Sequence, residues 1–299
     1  MEKETVTGRI IKSLGGFYYV QAPGGMVECR ARGSFRNQNI KPCVGDMAIA
    51  ELTQEGKGYV VELLPRSNSL VRPPLANLDQ LILVVSIAQP VPNALVLDKL
   101  IAIAECQRIQ PVIVVTKADL KPAEAEEFAA LYRKAGFPVV TVCSLTGQGV
   151  EGVERLLAGK LSAFCGNSGA GKSSLLNAID ARFAINTGNI SQKLGRGRHT
   201  TRHVEIYTLP NGGQVADTPG FSAVDMEKFQ IIRKDDLQYC FREFEPYIGQ
   251  CQFTGCSHTK ERGCRVLQAV QAGEISSQRH QSYCTLYEEA KLIKEWELR

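Results

Sequence analysis

Short apolar stretches separated by glycine-containing turns make up the first 65 residues of the chain. Turn signals such as Gly15-Gly16 and Pro23-Gly24-Gly25 bound these stretches, so each stretch predicts a short β-strand. Five short strands in so small a segment are typical of an all-β OB-fold barrel, which we expect over residues 1–70. The predicted strands cover residues 6–11, 17–20, 26–30, 46–50 and 58–61.

Beyond this segment the pattern of apolar positions changes. Arg72-Pro73-Pro74 predicts a linker, because consecutive prolines hold the chain extended. Continuous β-branched runs then alternate with helical stretches, which is typical of a parallel sheet covered on both faces and predicts an α/β domain over residues 71–224. The predicted strands are 81–85, 112–115, 139–142 and 161–165, and the predicted helices are 94–107, 123–135 and 150–157. A third domain is expected at 225–299, with a cysteine cluster and helices at 264–272 and 277–297.

Composition places the chain among ordinary globular proteins, with 44% hydrophobic and 22% charged residues in a length of 299. Its strongest apolar run, residues 81–85, has the length of a buried strand and is far too short for a membrane span. The N-terminal residues carry acids and lead into no apolar stretch, which argues against a signal peptide. We therefore expect a cytoplasmic protein with no membrane partner, and a monomer is the default expectation.

Basic side chains are concentrated in two segments, although the net charge is only +4. Residues 193–202 carry no acid, and the second set lies in the predicted barrel with Phe17, Tyr18 and Tyr19, at least one of which must face the core. OB barrels often hold nucleic acid on exposed aromatic and basic side chains, so an RNA partner is favoured. A solvated charged face and a purely structural barrel are the alternatives. The basic residues are Lys193, Arg196, Arg198 and Arg202 in the first segment and Arg30, Arg32, Arg36 and Lys41 in the second.

The segment from Gly166 to Ser173 matches the phosphate-loop pattern GxxxxGK[ST], between an apolar strand and a helical stretch. The glycines allow backbone N–H groups to point at phosphate oxygens, and the helix N-terminus adds partial positive charge. Lys172 is expected to reach the β- and γ-phosphates and the Ser173 hydroxyl to bind Mg²⁺. The expected nucleotide-binding residues are Gly166, Asn167, Ser168, Gly169, Ala170, Gly171, Lys172, Ser173 and Ser174.

Two later motifs are typical of GTPases. Asp217-Thr218-Pro219-Gly220 is a DxxG sequence after a predicted strand, in which Asp217 would hold Mg²⁺ through water and the Gly220 amide would sense the γ-phosphate. Tandem threonines lie between this motif and the phosphate loop, in a glycine-rich polar segment. One of the two, Thr200 or Thr201, is the expected switch ligand of Mg²⁺.

Selection of the base follows from Thr116-Lys117-Ala118-Asp119, which matches the guanine-reading pattern [NT]KxD. The Asp119 carboxylate can accept hydrogen bonds from the guanine N1–H and exocyclic amine, a pattern that adenine does not offer, and the Lys117 stem would pack over the base. Thr116 replaces the more usual Asn, which predicts a lower affinity. Ser144 follows the next predicted strand and fits the loop that closes over guanine.

The order of these motifs is rotated relative to an ordinary GTPase, because the guanine motifs at 116 and 144 precede the phosphate motifs at 166, 200 and 217. This order predicts a circular permutation, with the old termini joined near Gly159. Such a rearrangement keeps the core intact, since domain termini lie at the surface and are often close. The DxxG segment then leads directly into the C-terminal region, so we hypothesise that nucleotide state moves that region.

A further motif places three cysteines and one histidine within fourteen residues, at Cys251, Cys256, His258 and Cys264. Thiolate and imidazole ligands with no open position are typical of a structural zinc site. Gly255 and Gly263 would supply the turns that bring closely spaced ligands around one ion. Unligated thiols in a loop are the alternative.

Together, the rotated motif order, the barrel and the CxxxxCxHxxxxxC cluster resemble the ribosome small-subunit-dependent GTPase A family (RsgA, YjeQ or YloQ) over nearly the whole chain. This resemblance implies a late assembly factor that binds the maturing small ribosomal subunit and its rRNA, and whose conversion of GTP to GDP and phosphate is stimulated there. The implied cofactors are GTP or GDP, Mg²⁺ and one structural Zn²⁺.

The catalytic residues are a separate question. Phe221 follows the DxxG motif, where many GTPases place the glutamine that orients the attacking water. His199, beside the tandem threonines, is the best candidate to assist water, and the family resemblance favours it; phosphate or rRNA contact is its alternative role. The expected catalytic set is His199, Lys172, Thr200 and Thr201.

Two other functions compete with this reading. One is a binding module in which GTP merely stabilises the fold. The other is an ATP-dependent kinase or ATPase, since a phosphate loop alone does not select the base, and Asp119 argues against it.

Overall fold

The computed structural model describes residues 4–37, 40–53, 56–183, 204–217 and 231–293, without the side chains of residues 36 and 37. These residues form two compact units. The first contains the chain up to Gln80, Leu156–Phe164 and residues 204–217. The second contains Leu81–Arg155, the chain from Cys165 to Phe183, and residues 231–293. The domain bounds at 70 and 224 predicted from sequence therefore stay predictions.

The N-terminal segment forms the predicted barrel. Strand β1 pairs antiparallel with β2 and β4, β2 pairs antiparallel with β3, and β3 runs parallel to β5. Antiparallel pairing of β4 with β5 closes the ring. The strands are β1 (Thr5–Leu14), β2 (Phe17–Ala22), β3 (Gly25–Ala31), β4 (Met47–Leu52) and β5 (Lys57–Leu63), with a short helix α1 (Ser34–Asn37) after β3.

Alternating side chains of these strands fill the barrel. Ile10, Val20 and Val60 are fully buried, as expected for strands with one face toward a core. Of the three adjacent aromatic residues, Tyr18 faces this core, while Phe17 and Tyr19 are half-exposed on the other face. This division confirms that at least one of the three aromatics must pack inside.

The predicted linker at Arg72-Pro73-Pro74 instead lies in the turn of a small hairpin. Strands β6 (Ser69–Leu70) and β7 (Leu75–Ala76) pair antiparallel, and Leu75 forms a bridge with Val44 of the barrel segment. Leu70 and Leu75 are buried, so this segment packs as part of the first unit. Pro73 and Pro74 lie between the two strands and do not keep the segment extended, because Leu70 and Leu75 on either side are buried in a core.

Three further strands of the first unit extend from the barrel. Strand β11 (Leu161–Cys165) runs parallel to β13 (Gln214–Asp217), and β13 pairs antiparallel with β12 (Glu205–Thr208). Strand β12 meets β1 at Lys12 and Glu205, whose side chains form an ion pair of 3.0 Å. The barrel thus shares one unit with the strands that precede the predicted phosphate loop and the DxxG motif.

The second unit contains the strands and helices around the guanine motif. Strand β9 (Gln110–Thr116) lies between β8 (Gln80–Ser86) and β10 (Val139–Val142), and β9 and β10 are parallel. Helices α2 (Ala94–Cys106), α3 (Pro122–Lys134) and α4 (Val150–Leu157) alternate with these strands, and α5 (Lys172–Ile179) follows β11. The predicted α/β alternation is confirmed, with boundaries within two residues. Within the described ranges, no helix combines the length and apolarity that a membrane crossing requires.

The cysteine-containing C-terminal region packs on α2. It consists of two 3₁₀ helices, Leu237–Cys240 and Arg242–Tyr247, followed by α6 (Arg265–Gln271) and α7 (Ser277–Lys291). Its apolar cluster includes Ala102 of α2 and Cys264 of the predicted metal-binding motif. The other fully or nearly buried members are Leu237, Cys240, Phe241, Phe244, Val266, Ala269, Ile275, Tyr283 and Leu286.

A buried arginine joins α7 to α2. The Arg279 guanidinium donates to Asp98 Oδ1 at 2.8 Å and to Glu243 Oε1 at 2.7 Å, and both Arg279 and Asp98 have no exposed surface. Burial alone lowers the pKa of Arg279, but the charges of Glu243 and Asp98 raise it above its ordinary value. Tyr132 Oη and Gln278 Nε2 donate to the two Asp98 oxygens, which satisfies that carboxylate. The C-terminal region is therefore attached to α2 by a fully paired polar network.

Replacing Arg279 with methionine is expected to destabilise the protein by about 3–5 kcal/mol, since Asp98 and Glu243 would keep buried charge without their partner. Thermal and urea unfolding of the full chain would measure this. Glu289→Gln is the matched control, because it breaks a half-exposed ion pair between the same two helices, Lys99–Glu289, and should cost at most about 1 kcal/mol. Equal effects of the two substitutions would contradict a stabilising role for the buried network.

Candidate functional site

The predicted phosphate loop occupies the turn between β11 and α5. Gly169 and Gly171 have φ of +77° and +92°, which only glycine adopts without strain. A Cβ on Gly166 would lie 2.2 Å from the Val84 carbonyl oxygen, so this position also requires glycine. Asn167, Ser168, Ser173 and Ser174 are exposed, the last two being the second and third residues of α5. The loop thus has the curled backbone and open face that a phosphate chain needs.

The guanine motif contacts this loop directly through Thr116, at the end of β9. Its Oγ1 hydrogen-bonds to the Ala170 carbonyl at 2.6 Å and lies 3.2 Å from the Val85 carbonyl of β8. Thr116 is 2% exposed, and Gly171 passes so close that a Cβ there would lie 3.4 Å from Thr116 Oγ1. The threonine in the usual asparagine position therefore ties the base-reading strand to the phosphate loop.

Two lysines also bind carbonyl groups of the loop. Lys117 Nζ donates to the Gly169 carbonyl at 2.9 Å and to that of Gln89. Lys172 Nζ donates to the carbonyls of Gly166 at 2.5 Å and Asn167 at 2.9 Å. Burial lowers the pKa of Lys172, and anionic phosphates would favour its charged form. Both ammonium groups therefore contact the backbone of the loop directly.

The base-reading residues lie beyond Thr116 on neighbouring strand ends. Asp119 is exposed and lies in a short 3₁₀ helix, Ala118–Leu120. Lys117, the residue directly before this helix, has a left-handed backbone conformation with φ of +57°. Ser144 follows β10 in a turn closed by the Cys143 N–H and the Gln148 carbonyl at 2.9 Å. Since β9 and β10 are parallel neighbours, their carboxyl ends present Asp119 and Ser144 at one edge.

The remaining nucleotide motifs are described only in part. Asp217 ends β13, opposite Glu205 of β12, and burial followed by the Glu205 charge raises its pKa. A bound cation would oppose that repulsion and favour the ionised form. His199, Thr200, Thr201, Gly220 and Phe221, and the basic residues 193–202, lie outside the described residues.

The four predicted metal ligands come together. The ligand atoms of Cys251, Cys256, His258 and Cys264 all lie within 4.8 Å of one another. His258 Nδ1 is 3.5 Å from Cys251 Sγ and 3.4 Å from Cys264 Sγ, so this ring nitrogen faces the thiols. Burial lowers the pKa of His258 and raises that of Cys256 to about 12, so metal binding must displace thiol protons. Three soft sulfurs and a neutral imidazole suit a tetrahedral cation.

Residues outside the motif orient these ligands. His258 Nε2 lies 3.0 Å from Gln238 Oε1, an acceptor that keeps the proton on Nε2 and leaves Nδ1 free to bind a metal. Glu261 accepts from the backbone N–H groups of Ser257 at 2.8 Å and of Thr259 and Lys260 at 3.1 Å, which shapes the ligand loop. Sequence reasoning missed both. Glu261 could have been suspected from its position between ligands, whereas Gln238 lies twenty residues away with no local signal.

A phosphate loop tied to a guanine-reading motif, on strands whose chain order is rotated, defines a circularly permuted P-loop GTPase. Comparison with known proteins narrows this class: the RsgA GTPase model matches residues 63–227 and the RsgA N-terminal domain model matches residues 7–60. The chain belongs to the RsgA GTPase family and is a GTP-hydrolysing enzyme.

Individual relatives agree over almost their full length. A small ribosomal subunit biogenesis GTPase of Caldanaerobacter subterraneus is 47% identical over 96% of this chain and 97% of that protein. A protein of the same name from Geobacillus kaustophilus is 45% identical over 95% and 97%. Among solved structures, YjeQ from Thermotoga maritima has a TM-score of 0.83 at 32% identity, over 97% of this chain and 100% of that one. YloQ, titled a circularly permuted GTPase, has a TM-score of 0.80 at 36% identity, over 96% of both chains.

Substituting Thr116 with valine keeps its shape but leaves the Ala170 carbonyl without its donor. We expect a loss of about 1 kcal/mol in nucleotide binding, roughly a fivefold weaker affinity for GDP. Titration with a fluorescent GDP analogue would measure it. Thr146→Val, which removes an exposed hydroxyl near the guanine loop, should change affinity less than twofold. Equal affinities of the two variants for the GDP analogue would show that the Thr116 hydroxyl does not contribute to nucleotide binding.

Proposed function

We propose that this GTPase acts on the small ribosomal subunit, as a late assembly factor that binds the maturing particle and its rRNA and hydrolyses GTP there. Relatives that are 45% and 47% identical over nearly the whole chain are named small ribosomal subunit biogenesis GTPases, which supports this function. A protein that acts on ribosomal particles would work in the cytoplasm, and we propose that it does so as a monomer.

The observation that carries the nucleotide assignment is the contact of Thr116 with Ala170. It couples the strand proposed to read the base to the loop proposed to hold the phosphates. One ligand that carries both a base and phosphates would therefore occupy the two motifs together. In this assignment Lys172 and the loop amides bind the phosphates, and Asp119 and Ser144 read guanine. Ser173, Asp217 and Thr200 or Thr201 would hold Mg²⁺, which neutralises phosphate charge when bound.

Replacing Asp119 with asparagine is expected to exchange base preference. The asparagine amide donates where the carboxylate accepts, so it opposes the guanine amine and suits the carbonyl that xanthine carries there. The affinity for GTP should fall by at least about 100-fold, because two charge-assisted hydrogen bonds are lost and two donors face each other. The affinity for XTP should rise. Competition between the nucleotides would measure both changes.

Glu124→Gln is the control for this exchange, since Glu124 is an exposed acid of α3 close in sequence to Asp119. It should leave GTP affinity unchanged. Undiminished GTP binding by Asp119→Asn would overturn the base assignment and would favour the alternative hypothesis of an ATP-dependent kinase or ATPase.

The barrel offers a surface suited to rRNA. The Arg30 guanidinium lies 4.7 Å from the centre of the Phe17 ring. Beside it, a groove of about 500 Å³ is lined by Arg30, Arg32 and Lys41 together with Tyr18 and Phe35. Arginine paired with an aromatic ring can stack on a nucleotide base, and the basic groups can bind phosphates. This surface supports RNA binding by the barrel.

Hydrolysis is proposed to depend on His199 once the ribosomal particle is bound, because Phe221 has no group that could orient water. Purified small subunits should stimulate GTP hydrolysis strongly, while large subunits should not. His199→Ala should keep GTP affinity near that of the unmodified protein and lose most of this stimulated turnover. Stimulated turnover within about twofold of the unmodified protein would exclude a catalytic role for His199. No stimulation by either particle would instead favour a binding module in which hydrolysis is incidental.

The cysteine–histidine cluster is proposed to hold one structural Zn²⁺, supported by four convergent ligand atoms and the acceptor Gln238 behind His258. Mass spectrometry of the native protein should find one zinc ion per chain, and Cys256→Ser should lose most of it. Cys284→Ser is the matched control, because this thiol lies 3.6 Å from His280 on α7 and outside the four ligands. Full zinc content in Cys256→Ser would contradict the proposed ligand set.

A further inference from the structure

A row of charged side chains crosses the sheet of the first unit, from the barrel to the DxxG motif. Lys12 of β1 lies directly opposite Glu205 of β12, and Glu205 lies directly opposite Asp217 of β13. Both strand pairs are antiparallel, so opposite side chains stand on the same face, with Cβ atoms about 4.5–5.5 Å apart. The aspartate of the DxxG motif is therefore separated from a barrel lysine by a single glutamate.

The barrel carries this row further and fixes its lysine. Lys12 lies opposite Tyr19 of β2, and Tyr19 lies opposite Glu28 of β3. Lys12 Nζ donates to both carboxylate oxygens of Glu205, at 3.0 and 3.1 Å, and Tyr207 Oη donates to Glu205 Oε2 at 3.3 Å. The Lys12 and Glu205 side chains are 32% and 31% exposed, so water screens their charges only in part.

Charge is distributed unevenly along the row. Lys12 contacts Glu205, whereas Asp217 lies on the opposite side of Glu205, on the next strand. Burial, followed by the Glu205 charge, raises the pKa of Asp217, so the two carboxylates are close enough to repel each other. With all three groups ionised, the row carries a net negative charge at the end where the DxxG motif begins. This end suits a cation.

We propose that Lys12 and Glu205 are positioning residues for the Mg²⁺ aspartate: Glu205 strengthens the negative field at Asp217, and Lys12 limits that field from within the barrel. The inference rests on the proposed function, in which Asp217 holds Mg²⁺ through water. Neither Lys12 nor Glu205 has to touch the cation. The barrel would thereby help to set the Mg²⁺ concentration at which the enzyme holds its nucleotide.

A purely structural role of the ion pair predicts a different pattern. If the pair only attaches β12 to β1, loss of either partner should disturb Asp217 in the same way, and both losses should weaken Mg²⁺ binding. An electrostatic role requires opposite effects, because Lys12 and Glu205 carry opposite charges. The direction of the change therefore separates the two roles.

The test measures the free Mg²⁺ concentration that half-saturates binding of a fluorescent GDP analogue to the full chain. Lys12→Met should lower this concentration by about threefold because it leaves both carboxylates unopposed, and Glu205→Gln should raise it by about threefold because the Lys12 ammonium stays. Lys12→Arg keeps the charge and should match the unmodified protein. The double variant, which removes both charges, should lie between the two single variants.

Glu51→Gln is the matched control, because it breaks the Arg32–Glu51 ion pair of 2.7 Å, which belongs to the barrel but not to the row. It should leave the Mg²⁺ requirement unchanged. Asp217→Asn tests the underlying assignment and should raise the requirement by at least about tenfold.

The outcomes separate the inference from the proposed function. If Asp217→Asn has its expected effect but Lys12→Met and Glu205→Gln shift the Mg²⁺ requirement in the same direction, or not at all, the inference is overturned and the Mg²⁺ assignment stands. If Asp217→Asn leaves the requirement unchanged, the Mg²⁺ assignment of Asp217 fails and the inference fails with it.

Discussion

The burial of Arg279 is the constraint on which the second unit depends. A guanidinium with no exposed surface is tolerable only with full pairing, and Asp98 of α2 and Glu243 of the C-terminal region together supply it. Arg279 bonds to both acids at once, so these hydrogen bonds fix how the region after residue 231 packs on α2. The apolar cluster around Phe241, Phe244 and Tyr283 adds free energy from burial, but apolar contacts alone are less specific in direction.

From that arrangement follows the relation between the two chemical sites. The metal cluster lies in a region packed on α2, and α2 leads through β9 to Thr116 and the phosphate loop. The predicted guanine motif, the predicted phosphate loop and the cysteine–histidine cluster thus lie in one compact unit. The C-terminal region is therefore attached to the helix that precedes the strand of the predicted guanine motif.

Much of the candidate site could be predicted from sequence, for a local reason. A phosphate loop requires glycine where the backbone is left-handed or passes close to another strand, as at Gly171 and Gly166. These glycines fall within one short segment, so the sequence alone reveals them. The ligand spacing from Cys251 to Cys264 is local in the same way. By contrast, the substitution of Thr116 looked like a weakness in isolation, whereas its hydroxyl bonds to Ala170, fifty-four positions later. The prolines at 73 and 74 likewise indicated a linker, and buried neighbours instead place them in a hairpin.

The sequence by itself determined the class of nucleotide, the rotated order of the motifs, the strands of the barrel and the four residues of the cysteine–histidine cluster, because each depends on residue types at short, regular spacing. Tertiary structure alone decided what surrounds them: Gln238 behind His258, and the carboxylates of Asp98 and Glu243 on Arg279. These contacts join residues tens or hundreds of positions apart. No local pattern encodes such pairs, since they exist only when separate elements are packed against a common core.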